Sequence, residues 1–140
     1  MSSKLKVVID TNVLLVSISS FSKYHWLFRL ITEKKIELCI TNEILFEYEE
    51  IIEKHLNEET AKSVTKLLLE LDNVYQTNIY FKYNLIKADL DDNKFVDCFL
   101  AANCDYIITN DKHFNILKSI DFPKIACLNL EAFNEMINSK

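Results

Sequence analysis

Short apolar runs rich in β-branched residues alternate along the chain with amphipathic helical patterns, and this alternation restricts the fold more than any other feature. Leu5-Lys6-Val7-Val8-Ile9 is the most apolar run and reads as a strand buried on both faces. Ile36-Glu37-Leu38-Cys39-Ile40, Asp105-Tyr106-Ile107-Ile108 and Ile125-Ala126-Cys127-Leu128 read as further strands, and Val74 to Ile79 is another candidate. Between them the spacing predicts helices over residues 24–34, 42–56, 59–71, 92–103, 113–120 and 130–137. Parallel strands need crossovers, and helices supply them. The expected fold is therefore α/β, with a mostly parallel sheet covered on both faces, in a single domain over residues 1–140.

Composition narrows the function. With 49% apolar residues the chain can bury a real core. There is no glycine, so phosphate-cradling glycine loops are excluded. One arginine, Arg29, stands against fifteen lysines, which excludes a chemistry built on several bidentate arginine clamps. The net charge of −5 argues against a broad basic surface for nucleic acid. The four cysteines (Cys39, Cys98, Cys104, Cys127) are scattered, without a C-x-x-C pair, and read as reduced core residues. No apolar run approaches the roughly 18 residues of a membrane span, and the start does not resemble a signal peptide, so no membrane association and a cytoplasmic location are expected.

Three strands end alike. Ile9 is followed by Asp10-Thr11-Asn12, Ile40 by Thr41-Asn42-Glu43, and Ile108 by Thr109-Asn110-Asp111. Such residues cap following helices, but in open α/β sheets ligands also bind beyond the carboxyl ends of strands. Asp10 closes the most apolar strand and should lie at the sheet centre, which favours chemistry there. At about 100° per residue, Asp92 shares a helix face with Phe95, Val96 and Phe99, and a carboxylate on a core-facing stripe needs a partner. Asp97 falls well off that face, as a solvated residue or a secondary contributor. On the helix from Asn42, Glu47 and Glu49 flank opposite edges of the apolar stripe, and periodicity does not choose between them. Asp10, Glu47 or Glu49, Asp92 and Asp111, if gathered at one edge, need counter-charge. Protonation would relieve the crowding, and so would one or two hard divalent cations, for which all-oxygen ligation favours Mg²⁺ or Mn²⁺ over zinc. The histidines show no metal-ligand spacing, so a histidine-based site is not expected.

These residues fall into four ordered motifs: Val7-Val8-Ile9-Asp10-Thr11-Asn12-Val13-Leu14, Thr41-Asn42-Glu43-Ile44-Leu45-Phe46-Glu47-Tyr48, Asp91-Asp92-Asn93-Lys94-Phe95-Val96-Asp97, and Asp105-Tyr106-Ile107-Ile108-Thr109-Asn110-Asp111-Lys112-His113-Phe114. Together they resemble the PIN-domain nucleases over nearly the whole chain, and most of all their bacterial VapC-like branch of toxin components of toxin–antitoxin pairs. The resemblance implies a three-layer α/β/α sandwich around a parallel sheet of four to five strands. It selects Glu47 and implies metal-dependent cleavage of single-stranded RNA by Asp10, Glu47, Asp92 and Asp111. Asp10 and Asp92 would be the principal Mg²⁺ or Mn²⁺ ligands, with Glu47 and Asp111 completing the set and Asp97 as a contributor. Thr11, Asn12 and Thr109 would bond the carboxylates or the substrate phosphate, with Asn110 and Lys112 beside them. A small antitoxin protein and a homodimer are the implied partners. Two departures stand out. Asn110 replaces a frequent glycine, with a left-handed turn expected there, and Phe99 replaces a usual alanine.

For RNA, Lys23, Lys112, His113 and Lys118 flank the strand ends, and Tyr24, His25 and Trp26 offer rings for stacking. Trp26 also fits a core position through its spacing with Leu30. Two other functions share the layout: a non-cleaving RNA- or partner-binding module, and a phospho-acceptor receiver domain. The receiver needs paired acids after the first strand and an aspartate ending the third, and the sequence supplies neither.

Overall fold

The computed structural model describes residues 4–87 and 90–139. Its centre is strand β1 (Lys6–Ile9), flanked by β2 (Glu37–Ile40) and β4 (Tyr106–Ile108), with β3 (Val74–Gln76) and β5 (Cys127–Leu128) at the edges. All four pairings are parallel, and Ile9 stands beside Ile108 while Val7 stands beside Leu38. Successive strand residues point to opposite faces, and Val7, Val8 and Ile9 are all fully buried, so helices cover both faces. The sheet order β3-β2-β1-β4-β5 differs from the 2-1-3-4-5 order of receiver domains, and β3 ends in Gln76. The receiver alternative is thereby removed.

The helices follow the expected positions with local corrections. Helix α2 (His25–Thr32), α3 (Asn42–His55), α4 (Glu58–Glu70), α5 (Asn93–Ala102) and α6 (Leu130–Asn138) lie where the periodicity predicts. Helix α1 (Thr11–Ser17) is not foreseen by the pattern. Its residues include Thr11, Asn12, Val13 and Val16, all modest helix formers, and burial of Val13, Leu14 and Ser17 decides the outcome instead. The segment after β4 is a 3-10 helix, Lys112–Ser119, rather than an α-helix. Phe114, Leu117 and Ile120 recur every three residues, which suits three residues per turn. β3 is also shorter than expected, and residues 77–87 have no regular structure.

Without glycine, asparagine closes helix α5. Asn103 adopts φ 56°, a left-handed cap that asparagine tolerates. Asn110, where the sequence suggested a left-handed turn, is not among the positive-φ residues described. Its side chain does the work instead, since Oδ1 accepts a hydrogen bond from the Leu130 N–H at the start of α6 at 3.1 Å. Cys39, Cys98 and Cys104 are buried and Cys127 is half-buried, all as free thiols. No helix among the described residues is long and apolar enough to cross a membrane.

Candidate active site

β1 and β4 are neighbours, so their carboxyl ends bring Asp10 and Thr109 side by side. The Asp10 N–H donates to the Ile108 carbonyl at 3.0 Å, extending the ladder past the strand. Asp10 precedes α1 but does not cap it with its side chain. Its Oδ2 accepts a hydrogen bond from Thr109 Oγ1 at 2.8 Å, and the residue is only 6% exposed. Burial pushes the Asp10 carboxyl above its ordinary value; the Thr109 bond opposes that rise, and the nearby Asp111 and Glu47 add to it. Thr109 Oγ1 also accepts from the Asp111 N–H at 3.0 Å, which ties the two acids to one hydroxyl.

The other strand ends divide between capping and chemistry. Thr41 is a cap, its Oγ1 accepting from the Ile44 N–H at 3.1 Å. Asp111 is a cap as well as a member of the acidic group: Oδ1 accepts from the His113 N–H at 2.9 Å, at the start of the 3-10 helix. Helix α3 then presents Glu47 toward the centre. The Tyr48 hydroxyl donates to the Ile9 carbonyl and seats α3 against β1. Glu47 Oε2 accepts a hydrogen bond from Thr11 Oγ1, so the hydroxyl after Asp10 orients the glutamate. Glu49 makes neither contact.

The start of α5 contributes Asp92, which is buried. The His113 Nδ1 lies 3.6 Å from Asp92 Oδ2 and 3.4 Å from Asp111 Oδ1. Asp92, Asp111 and His113 each offer one donor atom, all within 4.8 Å of one another. His113 thus enters the group although its spacing in the sequence carries no metal pattern: the fold brings it to Asp92 through tertiary structure. Two carboxylates and an imidazole are suitable donors for a divalent cation. Asp10 lines a cavity of about 320 Å³ with Asn12, Tyr24, Asn110 and Asp111, so it shares the edge with that group. Asn12, Asn110 and Lys112 are exposed there.

Lys94 is the residue that sequence reasoning missed. Its side chain is 5% exposed, and Nζ lies 2.9 Å from both Glu47 Oε1 and Asp91 Oδ1. Burial alone lowers an ammonium, but the bonds to Glu47 and Asp91 outweigh it and hold Lys94 above its ordinary value. Its position two residues after Asp92 gave no periodic sign of burial. Asp97 also departs from the solvated option. It is 4% exposed, and its Oδ1 accepts from the Tyr83 N–H at 3.1 Å. It lines a different cavity, of about 190 Å³, with Thr41, Thr77 and Lys82. Asp97 therefore fastens the 77–87 segment and lies outside the Asp92–Asp111–His113 group. Trp26 is half-buried, its ring 6.1 Å from that of Phe133. Phe99 is buried in the core.

A parallel α/β sandwich with acids converging at the carboxyl edge of its sheet defines a class of proteins that place ligands or metal ions beyond the strand ends. The sequence profile described as the PIN domain matches residues 6–113, and the chain belongs to that family. No curated protein matches the chain. Among solved structures it is similar to VapBC2 from Rickettsia felis bound to a DNA fragment from its promoter, with a TM-score of 0.60 and 19% identity over 89% of this chain and 98% of that one. It is also similar to DNA-bound VapBC from Salmonella typhimurium, with a TM-score of 0.57 and 20% identity over 90% and 98% of the two chains. A third is Mycobacterium tuberculosis VapC20, a sarcin-ricin loop cleaving toxin, with a TM-score of 0.57 and 12% identity over 78% and 92%.

Proposed function

We propose that the protein is a metal-dependent endoribonuclease that hydrolyses phosphodiester bonds of single-stranded RNA in the cytoplasm, as the toxin of a toxin–antitoxin pair. The observation that carries this reading is the convergence of Asp92, Asp111 and His113 donor atoms within 4.8 Å, beside Asp10, at the carboxyl edge of the sheet. Membership of the PIN domain family supports it, as does similarity in fold to complexes named VapBC and to a sarcin-ricin loop cleaving toxin.

In this reading Asp10, Asp92 and Asp111 hold Mg²⁺ or Mn²⁺, with Glu47 completing the set directly or through water. The bound ion supplies charge neutralisation at the phosphate and an acidified water. Thr109 and Thr11 keep the Asp10 and Glu47 carboxylates in place through their hydroxyls. Asn12, Asn110 and Lys112 contact the phosphate backbone. The partner would be a small antitoxin protein, and a homodimer would set two clefts together.

The test is incubation of the pure protein with a pool of structured and unpaired RNAs, in Mg²⁺, Mn²⁺ or chelator, beside Asp10→Asn. Cleavage that needs the metal and is lost in Asp10→Asn supports the reading. Binding of RNA without metal-dependent cleavage favours the non-cleaving module instead.

A further inference from the structure

The segment that follows β3 is fastened to the body of the fold yet turns its rings outward. The Thr77 N–H donates to the Ile40 carbonyl at 2.8 Å, the Tyr83 N–H to Asp97 Oδ1 at 3.1 Å, and the Ile86 N–H to Asn93 Oδ1 at 2.8 Å. The Asn93 Nδ2 returns a bond to the Ile86 carbonyl at 2.8 Å. Tyr80 is nevertheless 90% exposed and Phe81 65%. The Phe81 and Tyr83 ring centres lie 4.6 Å apart, edge to face. These bonds order the segment before any ligand arrives, so its rings are presented at a reduced entropic cost.

Charge sets this segment apart from the rest of an acidic chain. None of the 21 acidic residues falls between Asn73 and Lys87. The aliphatic side chains of Ile79, Leu85 and Ile86 are buried or half-buried, and what is exposed is rings, amides and the ammoniums of Lys82 and Lys87. Two carboxylates from neighbouring elements line the cavity beside it, Asp97 from α5 and Glu43 from α3. Asp97 is buried and already bonded to the Tyr83 N–H, and Glu43 shares that cavity with Lys82 and Lys94. The segment also leads to the acids. Its anchor Asn93 directly follows Asp92, and Lys94 joins the same cavity to Glu47, whose Oε1 lies 2.9 Å from Nζ. Along α3 a phosphate chain would instead meet Glu49, Glu50 and Glu53, which line the adjoining cavity.

We propose that residues 80–87 form a stacking platform for single-stranded RNA, holding unpaired bases on Tyr80 and Phe81 beside the acidic site. The inference rests on the nuclease reading for its ligand and adds where the strand is held. Rings interleaved with cations suit a single strand, because every base offers a π-face and every phosphate a charge. A duplex keeps its base faces stacked within the helix, so the platform discriminates against it. Stacking carries no base code, and the recognition is of unpaired structure rather than of sequence.

The Asp10→Asn protein, in chelator, is titrated by fluorescence anisotropy with labelled oligoadenylate, with an abasic ribose-phosphate strand of the same length, and with an oligoadenylate–oligouridylate duplex. Tyr80→Ala and Phe81→Ala should each weaken oligoadenylate binding about tenfold, within the range for one stacked base, with the thermal midpoint unchanged. Tyr80→Phe and Phe81→Tyr keep a ring and should keep the affinity. The abasic strand and the duplex should bind no better than oligoadenylate binds the double alanine variant. Lys87→Gln should reduce the slope of log affinity against log salt by about 0.7, the value of one phosphate contact to a single strand. Equal binding of abasic and base-bearing strands, affinity unchanged in both alanine variants, or no binding of RNA overturns the platform. Metal-dependent cleavage with the same KM in the double alanine variant of the otherwise native chain sinks the platform and leaves the nuclease standing. Ring-dependent binding in a protein that never cleaves keeps the platform and sinks the nuclease.

Discussion

Replacing Lys94 with methionine probes the charge balance of the site most directly. Methionine keeps much of the stem that carries the ammonium 5.3 Å from the centre of the Phe95 ring, so the change removes mainly the charge. Lys94 has two carboxylate partners of different standing. The Asp91 side chain is 73% exposed, and an ion pair at such a site contributes below about 1 kcal/mol. The Glu47 side chain is 19% exposed and Lys94 only 5%, so this pair is largely desolvated. Removing one member of a buried pair costs about 3–5 kcal/mol, because the other is left uncompensated. The partial exposure of Glu47 and its bond from Thr11 reduce that, giving an expected loss of about 2–3 kcal/mol. For a domain of this size the melting midpoint should drop by about 8–12 °C. The assay is urea and thermal unfolding in chelator of the wild type, Lys94→Met, Glu47→Gln and the double variant. Removing both charges should restore about 1–2 kcal/mol relative to the sum of the single losses. A loss below about 0.5 kcal/mol for Lys94→Met, with no coupling to Glu47, would mean the pair is screened like a surface contact and the reasoning fails.

Burial gives Asp10 a raised carboxyl, so the folded state binds its proton more tightly than the unfolded state. This contribution to stability is present below the ordinary carboxylate range and is lost as pH rises through the raised value; Asp10→Asn should flatten that limb in a urea series across pH in chelator. At Mn²⁺ about a hundredfold above its dissociation constant the wild type should gain about 2.7 kcal/mol. Asp111→Asn, which keeps an oxygen for the His113 N–H, should lose most of that gain in the same thermal scan while its metal-free midpoint holds. Thr41→Ala should cost about 1 kcal/mol in chelator, through loss of the α3 cap, with the Mn²⁺-dependent gain unchanged.

The readable parts of this protein are those where one local rule governs. Val7, Val8 and Ile9 form an unbroken apolar run because both faces of β1 are covered, and Asp10 follows at the centre because β1 is the middle strand. Asp92 could be read as buried because the helical period placed it on the stripe of Phe95 and Phe99. Thr41 fits the ordinary capping rule. The failures share a different cause. Helix α1 forms against the preference of its own residues because Val13 and Leu14 are needed in the core. Lys94 and Asp97 are buried by contacts from α3 and from the 77–87 segment, which no period within α5 encodes. His113 meets Asp92 across about 20 residues of chain, through a 3-10 turn whose start Asp111 fixes. Asn110 keeps its turn with a side-chain bond to α6 rather than with a left-handed backbone.

On the proposed reading, the counter-charge that the acids require comes in two forms. Glu47 is balanced by Lys94, an ammonium anchored to α5 that also bonds the Asp91 carbonyl and carboxylate. A covalently attached charge cannot leave with the product, nor change its number of ligands as a phosphate arrives. Asp10 stands differently. Its nearest electrostatic company includes Asp111 and Glu47, and its carboxyl is raised as a result of burial and those like charges. On the proposed reading, a bound cation would offset the cost of ionisation and favour the ionised carboxylate beside it. On that reading the site is graded: the Glu47 edge carries its own counter-charge in Lys94, and the Asp10 edge would gain stability from an exchangeable ion. Lys94 then holds Glu47 in place through their ion pair, while metal binding would fall chiefly on Asp10, Asp92 and Asp111. A mobile cation would be needed only where the proposed chemistry uses one, because Lys94 already pairs with Glu47 and Asp91.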